Sequence, residues 1–234
     1  MVAREVSRTV IDGDARGHTP ATLPTYPFAK ERYWLSPAAA RPGGAALHPL
    51  VQRNTSTLTG PRFSSRFTGS ETVLADHRVA GRAVLPGVAQ LEMARAAVGM
   101  AMESGAALHL KSVAWARPVV AGDEGLALHL SLLPQAHGDI AYELHADGDK
   151  VYGHGTVTAT AGGPASAPHD IAALRERCAS RHLDAAACYA TFDAMGLVYG
   201  EGFRGLIELF VGDGTVLGRV ALPEPWRAAN GAYA

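Results

Sequence analysis

Two cysteines in 234 residues, Cys178 and Cys188, are too few for a disulfide framework or a cysteine-built metal site. They read as two reduced thiols, the state of a cytoplasmic protein. Charge is also scarce, at 18% of residues, and the signs nearly cancel to a formal net charge of −1. No basic stripe is present to grip nucleic acid, and no Lys/Arg cluster to hold a membrane surface. Apolar runs break well short of the roughly 20 residues that a membrane span requires. The N-terminal stretch carries Arg4, Glu5, Arg8, Asp12 and Asp14 and has no apolar signal core, which argues against secretion. Also missing are Gly-x-Ser-x-Gly, a phosphate loop and the Gly-x-Gly-x-x-Gly dinucleotide fingerprint. Nucleotide chemistry and nucleophile-elbow hydrolysis are therefore disfavoured. The hydrophobic share, 47%, is that of a globular chain able to bury a large core.

Residues 1–46 show no sustained periodicity and are punctuated by proline and glycine from Gly13 to Gly44. Within them, Leu23-Pro24-Thr25-Tyr26-Pro27-Phe28 runs on to Arg32-Tyr33-Trp34-Leu35. An extended, aromatic-rich stretch of this kind is expected to lie against another protein surface, because solvent does not reward its burial. From Leu47 the pattern becomes regular. Phe63–Thr68 and Thr72–Leu74 read as strands, and Pro86 opens a helix with almost no polar face, so a buried helix is expected. Leu110–Val120 reads as a strand. Leu126, Leu128, Leu130 and Leu132 then alternate at period two, and 140–146 and 151–159 form a hairpin about Asp147-Gly148-Asp149. One buried helix wrapped by antiparallel strands is an α+β, hot-dog arrangement, assigned to residues 47–160.

Residues 161–182 open with a linker composition, Ala-Gly-Gly-Pro-Ala-Ser-Ala-Pro. Helices are expected over 171–179 and 183–195, the second ended by Gly196. Strands at 203–211 and 215–222 follow, joined at Gly212-Asp213-Gly214. One helix and two strands are too little for an independent sheet domain, so 183–234 reads as the start of an incomplete second unit.

The chemistry gathers at Asp76-His77-Arg78-Val79-Ala80-Gly81-Arg82-Ala83-Val84-Leu85-Pro86-Gly87. It places one imidazole among apolar neighbours, with a helix N-terminus a few residues on. A neutral imidazole accepts a proton, and the free amides of a helix start bind a polarised carbonyl oxygen. Base and oxyanion donor together are the minimum for removing a proton alpha to a carbonyl. Gly81 suits a turn, and Gly87 suits a close approach of the helix start to a ligand. A plain strand-to-helix turn explains both glycines equally well, but not His77. The remaining histidines have no metal-ligand spacing, and His129, His145 and His154 read as strand positions. Gly196-Leu197-Val198-Tyr199-Gly200-Glu201-Gly202-Phe203 either presents the Tyr199 hydroxyl to a cleft or is an ordinary helix end with a packed aromatic pair.

His77, Gly81 and Pro86 match the His-x3-Gly-x4-Pro motif of the dehydratase domain of modular polyketide synthases, which this chain resembles. Gly196, Tyr199, Gly200 and Phe203 match the Gly-Tyr-x-Tyr-Gly-Pro-x-Phe motif of that family, with Leu197 in place of its first tyrosine and Glu201 in place of its proline. The aromatic stretch at 23–35 is similar to the linker that precedes reducing domains in such synthases. The wording around His48-Pro49-Leu50, Arg53-Asn54-Thr55-Ser56 and Leu74-Ala75-Asp76-His77 resembles assembly lines with a free-standing acyltransferase.

The resemblance implies a double hot-dog, of which the second half is partial here. It implies a β-hydroxyacyl thioester substrate on the phosphopantetheine arm of an acyl carrier protein, with no cofactor bound by the domain itself. His77 would be the catalytic base, and Gly81, Pro86, Gly87 and Tyr199 would line the substrate site. It further implies a homodimer within the synthase, and neighbouring ketosynthase or acyltransferase domains contacted through residues 20–35. The aspartate that protonates the leaving hydroxyl in the family belongs to an Asp-x3-Gln/His motif downstream of the last two strands. Asp184, Asp193 and Asp213 do not carry that motif, so the fragment is expected to be inactive alone. The alternative is a non-catalytic truncated or split-module remnant that docks on a synthase.

Overall fold

Period-two alternation decides the largest sheet. A computed structural model of the chain describes residues 46–102, 106–122, 124–148, 150–160 and 167–227. The aromatic stretch 23–35, the run 161–166 and the tail 228–234 lie outside the described residues, and with them the docking expectation for residues 20–35. In chain order the elements are β1 (Arg53–Asn54), β2 (Arg62–Phe67), α1 (Thr72–Ala75), β3 (His77–Val79), β4 (Arg82–Leu85), α2 (Gly87–Met102), β5 (Ala107–Trp115), β6 (Val119–Val120), β7 (Leu126–Pro134), β8 (Ile140–Ala146) and β9 (Lys150–Thr160). The C-terminal part adds α3 (Ile171–Arg177), β10 (Arg181–Asp184), α4 (Ala185–Ala194), β11 (Leu197–Tyr199), β12 (Leu206–Val211), β13 (Val216–Val220) and α5 (Glu224–Arg227). None of the described helices is long and apolar enough to cross a membrane.

A six-stranded antiparallel sheet runs in the order β1-β2-β7-β8-β9-β5. Leu128, Leu130 and Leu132 of β7 all point to its buried face, with Phe63 and Phe67 of β2, Tyr142 and Leu144 of β8, and Tyr152 and Val157 of β9. Helix α2 lies in that face, its Ala89, Met93, Ala94, Ala97 and Val98 buried in the same core. Ala94 and Ala97 are fully buried, so the small side chains let the helix axis approach the sheet. The expected helix-in-sheet core is present. A second point of close packing lies on β9, where a Cβ on Gly155 would stand 2.8 Å from the Tyr142 ring.

Four local expectations are corrected. Thr72–Leu74 is the helical turn α1 and not a strand. Val73 and Leu74 are both buried, and adjacent residues can face one core from a helical turn but not from a pleated strand. The Glu71 carboxylate fixes the start of that turn by accepting from the amides of Thr68 (2.8 Å) and Gly69 (2.9 Å). Pro86 stands immediately before α2, its carbonyl accepting from Ala89 and Gln90, and is not inside the first turn. The strand expected over Leu110–Val120 divides: β5 pairs with β9, β6 pairs with β4, and Ala116-Arg117-Pro118 crosses between sheets. The helix expected over 183–195 begins only after β10, because Asp184 caps α4 by accepting from the Ala187 amide (2.8 Å). Gly196 does end α4, at φ +80°, as expected. The segment 161–182, which opens as a linker by composition, contains α3 and the first residues of β10.

The join between the two parts of the chain positions the site. The four-stranded sheet β11-β3-β4-β6 takes its first strand from the C-terminal part and the other three from the N-terminal part. Strand β11 pairs antiparallel with β3, matching Leu197 to Val79, Val198 to Arg78 and Tyr199 to His77. Asp76 then holds the next turn: its carbonyl accepts from the Gly200 amide (2.9 Å) and its Oδ2 from the Gly202 amide (2.8 Å). A Cβ on Gly200 would run into the Asp76 carboxylate, and one on Gly202 would lie 2.7 Å from Thr72 Cγ2. Both glycines serve this close approach. The Trp226 indole N–H donates to the Gly202 carbonyl and closes the turn from the other side.

Beside the middle of α2, His48 Nδ1 accepts from the Leu50 amide (3.1 Å), which leaves Nε2 protonated and 3.1 Å from Glu92 Oε1. Burial pushes the His48 imidazole below its ordinary value of 6.5, against the opposing pull of Glu92.

Three outcomes are expected. Gly155→Ala should lower stability by about 1–3 kcal/mol through overpacking against Tyr142, read by urea denaturation. With the folded pKa of His48 depressed, its contribution is full above the unfolded value of 6.5 and is lost as pH falls through the folded value. The difference in melting temperature between wild type and His48→Gln should therefore shrink on acidification. Asp76→Ala should cost about 1–3 kcal/mol and open the Gly202 amide to hydrogen exchange, whereas Asp76→Asn, which keeps an acceptor, should protect it.

Candidate active site

The β3–β4 hairpin turns through Ala80 and Gly81, both at positive φ (47° and 75°), in a two-residue loop. That geometry is the reason for a glycine here. It sets Val84 opposite His77, and the Val84 carbonyl accepts from the His77 ring at Nδ1 over 2.7 Å. A carbonyl only accepts, so the proton resides on Nδ1 and the neutral ring keeps its lone pair on Nε2. His77 is half-buried, with the Tyr199 ring at 5.6 Å and the Phe203 ring at 5.5 Å between centroids. Tyr199 is itself backed edge-on by Phe192 at 5.6 Å. The aromatic wall about the imidazole thus comes from the segment that Asp76 clips in place.

A cavity of about 690 Å³ opens beside this imidazole. His77, Tyr199 and Phe203 form one side of its lining, Val84, Leu85 and Pro86 lead into the helix start, and Trp115 to Pro118 supply the rest with Gly87, Val88 and Gln90. The volume is within the roughly 300–1,000 Å³ of ordinary small-molecule sites. The first amides of α2, on Gly87 and Val88, have no carbonyl in a preceding turn to donate to, and so are free for an acceptor in the cavity. Gly87 has a second reason to be glycine: a Cβ there would stand 3.0 Å from the Trp115 indole. None of the lining residues is Asp or Glu.

The structure thus gathers His77, Pro86, Gly87 and Tyr199 around one space. Gly81 is not among them; it occupies the hairpin tip, with nothing within 4 Å of where its Cβ would be. Of the two readings of the Tyr199 segment, both hold in part, since Gly196 ends α4 and the following strand carries Tyr199 to the cavity wall. Trp115, Arg117 and Gln90 were not singled out by the sequence. Pro118, which has no N–H to give a strand ladder, is the signal that could have marked the crossing from one sheet to another within a stretch read as a single strand. His129 and His145 lie on neighbouring strands, bonded to Ser64 (2.8 Å) and Ser131 (3.0 Å), away from the cavity lining.

Known proteins resemble this chain over most of its length. Residues 48–147 match the family described as polyketide synthase dehydratase domain, and residues 166–234 match the polyketide synthase dehydratase N-terminal domain. Polyketide synthase PksN of Bacillus subtilis is 40% identical over 222 residues, covering 86% of this chain and 4% of that protein. Polyketide synthase ThaG of Burkholderia thailandensis is 36% identical over 220 residues, covering 87% of the chain and again 4% of the relative. The chain therefore spans only a small part of the synthases it matches. Among solved structures, a trans-AT polyketide synthase dehydratase domain from Brevibacillus brevis is 39% identical with a TM-score of 0.77, over 81% of this chain and 69% of that one. The dehydratase domain of RzxB from Pseudomonas fluorescens is 32% identical at a TM-score of 0.69, over 80% of this chain and 69% of that one. The hot-dog fold expected from the buried helix and its strands is the fold of these domains, here in partial form. The chain belongs to the polyketide synthase dehydratase domain family.

Proposed function

We propose that this chain carries the base-bearing part of a site that removes water from a β-hydroxyacyl thioester, held on the phosphopantetheine arm of an acyl carrier protein. Residues 47–160 form the first hot-dog in this reading, and residues 183–234 begin the second. One observation carries it: the Nδ1–H of His77 is committed to the Val84 carbonyl, which leaves a bare Nε2 beside the cavity. Nε2 takes the proton from the carbon alpha to the thioester carbonyl. The amides of Gly87 and Val88 receive the charge that builds on the carbonyl oxygen. The electron pair of the broken C–H bond forms the α,β double bond, the C–O bond at the β-carbon breaks, and the hydroxyl leaves as water after gaining a proton. Pro86 and Phe203 keep the reacting carbons in an apolar setting, and Tyr199 lines the side from which the hydroxyl departs.

The cavity lining holds no Asp or Glu among the described residues, so this part of the site supplies the base and the oxyanion donors. By resemblance, the proton for the leaving hydroxyl comes from an aspartate on the helix of the second hot-dog. The domain needs no cofactor of its own in this scheme, its partners being the carrier protein and the neighbouring synthase domains that follow from its relatives. A homodimer, as the resemblance implies, belongs to the same proposal. A lining without Asp or Glu among the described residues also fits a second reading, a remnant that docks on a synthase without turnover.

Alpha-proton exchange separates the two, because it needs the base and the oxyanion donors but not the acid. Incubated in D2O with 3-hydroxybutyryl-pantetheine, the chain should incorporate deuterium at the alpha carbon without releasing water. His77→Gln should slow that exchange by about 10²-fold or more. Exchange at an undiminished rate in the variant would remove His77 from the base role, and none in the wild type would favour the docking remnant.

A further inference from the structure

Gln90 is the one buried polar residue of α2, 6% exposed on a helix whose other buried members are apolar. Its side chain runs across the face of β9, where the glycine at position 153 leaves room for it: a Cβ there would meet Gln90 Oε1 at 3.0 Å and the Ala114 carbonyl at 3.2 Å. Gln90 also lines the cavity that holds His77. Its Oε1 is buried with no hydrogen-bond partner among the described residues. A buried amide left unpaired destabilises the fold that contains it, and a leucine or methionine would fill the same volume without that cost. The molecule thus keeps an amide on an otherwise apolar part of the wall, and no hydrogen bond among the described residues uses its Oε1.

The position of the residue indicates which part of a ligand it would meet. Val88 and Trp115, at the helix start, are 67% and 53% exposed, so that end of the cavity faces solvent. An arm tethered to a carrier protein must enter from the solvent side, with its thioester carbonyl at the Gly87 and Val88 amides. Gln90 lies further along the helix, on its buried side. Whatever reaches it is the acyl chain beyond the reacting carbons.

We propose that Gln90 is a specificity-determining residue that hydrogen-bonds an oxygen substituent, hydroxyl or carbonyl, on the acyl chain distal to the β-carbon. The inference rests on the thioester reading of the cavity and adds a substrate class to it: polyoxygenated acyl chains are preferred to saturated ones. A polar wall group discriminates because the wrong substrate leaves it unpaired, whereas the right one satisfies it.

The test uses the full chain and pairs of non-hydrolysable carba(dethia)-pantetheine analogues, in which a methylene replaces the thioester sulfur and the carbonyl is kept, with dissociation constants measured by calorimetry. One member of each pair is a 3-hydroxyacyl chain; the other carries an additional oxygen at C5 or at C7. Wild type should prefer at least one oxygenated member by about tenfold. Gln90→Leu should erase that preference, bind the plain chain at least as well, and raise the melting temperature, since it removes an unpaired amide. Gln90→Met serves as a second variant of similar length. Equal binding of every pair by wild type would overturn the inference alone. So would a loss of affinity for plain and oxygenated chains alike in the variants, which would mark the pantetheine amides as the partner. Failure of both variants to fold, or a clear drop in their melting temperatures, would show that the amide is satisfied structurally, by a buried water for instance, and would also overturn it. Binding of neither analogue by wild type would sink the thioester reading itself.

Discussion

The site depends on one strand pairing. Strand β11 brings Tyr199 into register with His77, and Asp76 fixes the turn that follows through the amides of Gly200 and Gly202. Without that pairing the imidazole would lose its aromatic wall, since Tyr199 and Phe203 approach it only from this segment. Asp76 and His77 are neighbours in the chain but have different tasks. The first anchors a distant segment by its carboxylate, and the second keeps a lone pair available by donating its other ring proton to Val84.

The second constraint is steric. Helix α2 presents alanines to a six-stranded sheet, and the sheet answers with glycines where the helix or its own side chains come closest. Gly153 lies beneath Gln90 and Gly155 beneath Tyr142, while Gly87, on the helix itself, stands against Trp115. Removal of a Cβ at each point leaves the helix start near the strand crossing Ala116–Pro118, which leaves a cavity in place of a filled core at that end. The same packing exposes the first amides of the helix to that cavity.

Much of this was legible in the residues. The period-two leucines of β7, the hairpin of β8 and β9 and the nearly all-apolar α2 announced a helix wrapped in strands. The spacing from His77 to Pro86 pointed to a segment that lines the cavity. What failed was local. Thr72 and Val73 have strand propensity, but two adjacent buried residues, and the Glu71 carboxylate that folds the chain back onto the Thr68 and Gly69 amides, impose a helical turn. Arg181–Asp184 carries no strong strand pattern and becomes one only by pairing with β12. The role of Asp76 could not be read, because its partners are in sequence terms 126 residues away at Gly202. Gly81 matched the family spacing for the sake of a hairpin turn, not a ligand. Gln90 does not stand out on a helix with almost no polar face, and only its burial beside the cavity marks it out.

That long separation has a consequence for how the protein is made. The large sheet and its helix close on contacts within the N-terminal part, which is synthesised first and can collapse early. The imidazole, although present in that part, acquires its aromatic neighbours only when the segment after α4 has emerged and docked. A nascent or clipped chain would hold a well-formed core and an open, solvent-washed histidine. The enclosed setting of that imidazole therefore forms late, only after residues 197–203 have left the ribosome.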